Sequence, residues 1–92
     1  MGLYLVLSKF SGGGLGSMIE NKEALEKFRR MLEEAGVNVI EQYIVFGEWD
    51  FMAIVEAGDE RALAAALLRL NTRGGMKTST YRIMRVEELL GQ

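Results

Sequence analysis

Apolar residues in this chain come in short blocks, and the spacing within the blocks alternates between two periods. Leu3 to Phe10 is nearly continuous, with Leu3, Leu5 and Leu7 alternating against Tyr4, Val6 and Phe10. A short strand apolar on both sides is one that is covered on both sides. From Leu25 the period lengthens. Leu25, Phe28, Met31, Leu32 and Ala35 recur at helical spacing, while Glu23, Glu26, Lys27, Arg30, Glu33 and Glu34 form the wet side. Asn21 is a candidate cap for this helix, and Ser17-Met18-Ile19-Glu20 has the form of a capping box. Gly36 suits the position just past the helix end.

Val37–Phe46 and Asp50–Ala57 then read as two strands around a turn, Gly47-Glu48-Trp49-Asp50. Gly47 is expected to supply a positive φ there, and the Asp50 carboxylate to bond turn amides. Asp59 caps a second helix whose buried stripe is Ala62, Leu63, Ala66, Leu67 and Leu70. Residues 71–75 form an exit loop. Met76–Arg85 is a fourth strand, and Val86–Gln92 a tail with one helical turn.

The order β-α-β-β-α-β predicts an α+β, ferredoxin-like domain spanning residues 1–92. It is a four-stranded antiparallel sheet with both helices on one face. Two helices cover one face only, yet the strands are apolar on both. An apolar patch of that size calls for a cover, and a second copy laid sheet to sheet supplies it. The expected assembly is a homodimer forming an α+β barrel, with higher oligomers open.

Composition narrows the chemistry. The 92 residues are 49% hydrophobic and 26% charged, a folded-protein balance. They contain no Cys, His or Pro. Thiolate, zinc–sulfur and histidine chemistry are thereby excluded, and no metal site or cofactor is expected. A net charge of −2 gives no general attraction to nucleic acid or an anionic membrane. No apolar run reaches the length of a span, and no basic leader opens the chain, so the expected location is the cytoplasm.

Local candidates remain. Gly12, Gly13, Gly14 and Gly16 follow a strand as phosphate loops do, but without nucleotide-binding spacing. Residues 61–85 hold six basic and no acidic residues, so Arg73, Lys77 and Arg82 are a candidate anion site beside the simpler reading of a solvated edge. Tyr4, Ser8, Tyr43, Glu56, Thr80 and Arg82 are the polar residues able to line a barrel interior, and Trp49 and Asp50 to form its rim. Strand parity is not fixed by sequence, so which of them share a face stays open.

Tyr4-Leu5-Val6-Leu7-Ser8-Lys9-Phe10, the Gly47-Glu48-Trp49-Asp50 turn with Phe51-Met52-Ala53-Ile54-Val55-Glu56-Ala57, and Met76-Lys77-Thr78-Ser79-Thr80 resemble the GYD-domain family. Trp49 stands where that family usually has tyrosine. The resemblance covers nearly the whole chain and implies a dimeric α+β barrel. A looser similarity reaches the ligand-sensing domains of leucine-responsive and asparagine regulators. The resemblance implies no general catalytic activity.

The expected function is a non-catalytic homodimeric module that binds a small anionic or apolar molecule or serves a structural role. Two alternatives stand beside it. One is a cofactor-independent monooxygenase or isomerase in the barrel interior; the other is an amino-acid sensor.

Overall fold

The computed structural model describes residues 2–10, 22–72 and 76–91. The glycine loop, the caps at Ser17 and Asn21, and Arg73 lie outside the described residues. The elements are β1 (Gly2–Phe10), α1 (Lys22–Glu34), β2 (Asn38–Ile44), β3 (Phe51–Ala57), α2 (Glu60–Thr72), β4 (Met76–Ile83) and a short α3 (Val86–Leu89). The strands form one antiparallel sheet in the order β2-β3-β1-β4, the ferredoxin-like arrangement expected.

Register decides the faces. Tyr4, Val6, Ser8 and Phe10 of β1 align with Val55, Ala53 and Phe51 of β3 and with Arg82, Thr80, Thr78 and Met76 of β4. This side carries the helices. Phe28 and Leu32 of α1 and Leu63, Ala66, Leu67 and Leu70 of α2 are buried against it. Phe28 meets Phe51 edge to face, with ring centroids 5.1 Å apart. Burying a side chain of this size contributes about 1.5–3 kcal/mol, and the T-shaped contact about 0.5–1.5 kcal/mol more. The predicted helical stripes thus match the core, with Ala62 half-buried at its margin.

The helix ends follow from local chemistry. Gly36 adopts φ 85°, a conformation that disfavours any side chain. Its amide bonds Glu33 O at 3.0 Å, and the Val37 amide bonds Leu32 O at 2.9 Å, the paired bonds of a Schellman stop. Val37, expected to begin β2, therefore belongs to the helix terminus. At α2, Asp59 Oδ1 accepts the Arg61 amide at 2.9 Å, as an N-cap should. α2 runs to Thr72, beyond the predicted exit at Asn71, and β4 ends at Ile83 rather than Arg85.

β2 departs from simple alternation. Val39 pairs with Val55 but Glu41 with Ile54, so one residue, Ile40, is inserted as a bulge. Val39 consequently lies on the helix face while Tyr43, expected to share its side, lies on the other. The hairpin also differs. Val45 N bonds Asp50 O at 3.0 Å, which leaves Phe46-Gly47-Glu48-Trp49 as the loop. Gly47 has no positive φ. A four-residue loop built around a type I turn does not need one.

No described helix is long and apolar enough to cross a membrane. The open face of the sheet carries Leu5, Leu7, Met52 and Ile54, with Tyr43 and Tyr81 exposed beside them.

Candidate functional site

The eight sequence-selected residues fall into three places. Tyr4, Ser8, Asp50, Thr80 and Arg82 belong to the helix side or its margin, and Tyr43 and Glu56 to the open face. Trp49 sits in the hairpin loop with Lys9 Nζ 6.0 Å from its ring centroid, a cation–π contact. They do not form one pocket.

Tyr4 anchors the first cluster. Its hydroxyl donates to Glu60 Oε1 at 2.5 Å, tying the start of α2 to the sheet. The Arg82 guanidinium lies 5.6 Å over the Tyr4 ring, and its Nη1 donates to Leu3 O at 3.2 Å and to Ile83 O. Gly2 admits this packing, since a Cβ there would come within 3.1 Å of both Arg82 Nε and the Tyr4 hydroxyl. The Glu60 carboxylate that accepts this hydrogen bond raises the Tyr4 pKa above its ordinary value, helped by desolvation and opposed by Arg82. The phenol is thus held as a neutral donor at physiological pH. A general base needs the opposite shift. Glu60 was not singled out from sequence, because no local spacing links it to Tyr4, 56 residues away.

Asp50 organises the second place. It is buried, and its Oδ2 accepts the Phe10 amide at 3.0 Å. Its own amide donates to Ser8 O at 3.0 Å. The carboxylate therefore closes the end of β1 instead of bonding turn amides as expected. The Phe10 amide at the end of β1 is a buried donor, and a carboxylate offers it a charge-assisted bond. Neighbouring Ser8 is fully buried, and its Oγ has no hydrogen-bond partner among the described residues.

On the open face, Tyr43 donates to Glu41, which raises the tyrosine pKa. Glu56 pairs in register with Leu3 and Asn38, near the opposite end of the sheet. Thr80 aligns with Val6 but is exposed at the β4 edge. Of the candidate anion cluster, Lys77 lies on the open face and Arg82 on the helix side, so the two do not converge. No group of His, Cys, Asp or Glu suited to a metal occurs among the described residues.

Sequence reasoning missed a large concavity. A groove of about 520 Å³ runs between α1 and the β2 edge. Leu25, Ile44 and Phe51 make its apolar part, and Glu26, Arg29 and Arg30 stand along it. Arg29 is engaged with Glu33 at 3.7 Å. The only available signal was Ile44, whose face the bulge conceals.

The GYD domain model matches residues 4–91. The chain belongs to the GYD domain family. A protein of Thermus thermophilus, named glutamine synthetase and cystathionine beta-lyase binding protein, is 36% identical to this GYD chain over 93 aligned positions. The match covers 100% of this chain and 98% of that protein. Among solved structures, a hypothetical protein of Pyrococcus horikoshii superposes with a TM-score of 0.61 at 24% identity, covering 92% of this GYD chain and 92% of the other. A feast or famine regulatory protein from M. tuberculosis, solved with L-methionine, has a TM-score of 0.56 at 21% identity, covering 92% of this chain and 51% of its own. These structural likenesses establish the shared fold.

Proposed function

We propose that this chain is a non-catalytic protein-binding module, one GYD unit over residues 1–92, that works as a homodimer joined through the open sheet faces and docks on metabolic enzymes. The observation that carries the dimer is the open face. Leu5, Leu7, Met52 and Ile54 form a contiguous apolar row that no described helix covers. All four are half-buried in the single chain, and a contiguous apolar row left partly in water marks an interaction surface. The partner class is suggested by the relative named for binding glutamine synthetase and cystathionine beta-lyase, which aligns end to end with this chain.

Light scattering on the purified chain tests the dimer. Twice the 10.3 kDa chain mass is expected, and Ile54→Glu, which sets a charge in the joined face, should return the mass to one chain. A wild-type mass of one chain at micromolar concentration would sink the dimer. Titration against purified glutamine synthetase and cystathionine beta-lyase from the same source tests the docking. Saturable binding to at least one is expected; none to either removes that half of the proposal.

A further inference from the structure

We infer that the apolar turn α3 of one copy seats in the α1–β2 groove of a second copy, so that the dimer is strapped by two reciprocal tails. This rests on the dimer proposed above. Val86, Leu89 and Leu90 lie at i, i+3 and i+4, on one side of a helical turn. They are 65%, 76% and 66% exposed, with Met84 before them at 58%. Four large apolar side chains in seven residues stand without cover among the described residues. Among the described residues the same chain has a groove with an apolar floor of Leu25, Ile44 and Phe51.

The tail does not reach its own groove. β4 ends at Ile83, level with Leu3 on β1, whose β3 partner Glu56 faces Asn38 at the start of β2. The groove lies at the far end of β2, beside Ile44. That path crosses three strand spacings, roughly 14 Å, and about five residues along the sheet, roughly 16 Å. Residues 84–90 include a helical turn, which advances only about 1.5 Å per residue, and α1 and α2 occupy the face between. A second copy has neither obstacle. The groove also includes Tyr43, a residue of the open face, so it is continuous with the surface through which the copies join.

Charge fits this occupant. Arg85 bonds Glu88 at 3.9 Å within the turn, and Arg29 bonds Glu33 within α1. Glu87 on the tail, and Arg30 and Glu26 on the groove wall, have no ion-pair partner among the described residues. A tail seated with Glu87 toward Arg30 and away from Glu26 gains a cross-subunit pair of opposite sign. A twofold axis makes both contacts at once, because each chain brings one tail and one groove.

The chain has no cysteine, so disulfide trapping is clean. Ile44→Cys and a mass-tagged Leu89→Cys chain are mixed, exchanged and oxidised. The mixed 44–89 dimer is expected in at least tenfold excess over that formed with Arg61→Cys, an exposed control on α2. Leu89→Glu should weaken dimerisation at least tenfold while circular dichroism stays unchanged. If the wild type dimerises by light scattering but 44–89 trapping stays at the control level, the strap is wrong and the sheet-face dimer stands. If the wild type is a monomer, both fall. If Leu89→Glu keeps the dimer and loses only enzyme binding, the tail serves the enzyme and this inference is overturned.

Discussion

The Asp50 carboxylate accepts the backbone amide of Phe10 at 3.0 Å, joining residues 40 positions apart at the buried end of the sheet. One side chain thus closes the β1 terminus and sets the base of the β2–β3 hairpin. Asp50→Ala leaves that amide without a partner. Hydrogen bonds to charged groups are worth about 1.5–3 kcal/mol, and a loss of that size is expected in urea unfolding. Asp50→Asn keeps an acceptor and should lose about half as much. A loss below about 0.5 kcal/mol for the alanine variant would refute the role.

Tyr4 predicts a pH dependence. Its pKa is raised above the ordinary 10.0, chiefly by the hydrogen bond to Glu60. The folded chain then binds this proton more tightly than the unfolded chain. The stabilisation is complete below about pH 10 and is lost as pH rises through the folded value. Tyr43 titrates in the same direction. Thermal melts from neutral pH into the alkaline range above the ordinary tyrosine pKa should show a shallower decline for Tyr4→Phe than for wild type. Parallel declines would remove the Tyr4–Glu60 bond as a contributor.

Two glycines should respond in opposite ways. Gly36 sits at φ 85° in open space, so Gly36→Ala is opposed by backbone conformation alone. The expected destabilisation is about 1–2 kcal/mol. Gly47 has no positive φ and nothing within 4 Å of an added Cβ. Gly47→Ala should be neutral or stabilise by about 0.4–1 kcal/mol through the unfolded chain. Equal losses at both positions would contradict the assigned conformations.

Ser8 offers a third contrast. Its hydroxyl is buried with no partner among the described residues, a state that costs about 1–3 kcal/mol in desolvation. Ser8→Ala removes the oxygen with little change of volume, so a higher melting temperature is expected. A lower one would mean that the hydroxyl has a partner.

Much of this was legible in the chain. Both helical stripes, the Asp59 cap and the Gly36 stop follow from spacing and local backbone chemistry, which act over a few residues. The sheet order followed from chain connectivity. The face assignment in β2 did not, because the bulge at Ile40 has no marker such as glycine and breaks the alternation from which parity is read. The site was less legible still. Tyr4 meets Glu60, and Asp50 meets Phe10, only after the strands have paired. Polar residues grouped by type therefore separated onto two faces.

The extra residue in β2 also makes that strand a switch in mutational phase. Up to Val39, odd positions answer to the helix layer; from Glu41 onward, even ones do. A substitution scan along β2 should see its tolerance for charge change step at Ile40. Deleting Ile40 would make Val39 and Glu41 consecutive opposite Val55 and Ile54, an uninterrupted ladder in which Tyr43 and Ile44 keep their present faces. The phase step would then vanish from the scan while the hairpin tip stays as it is.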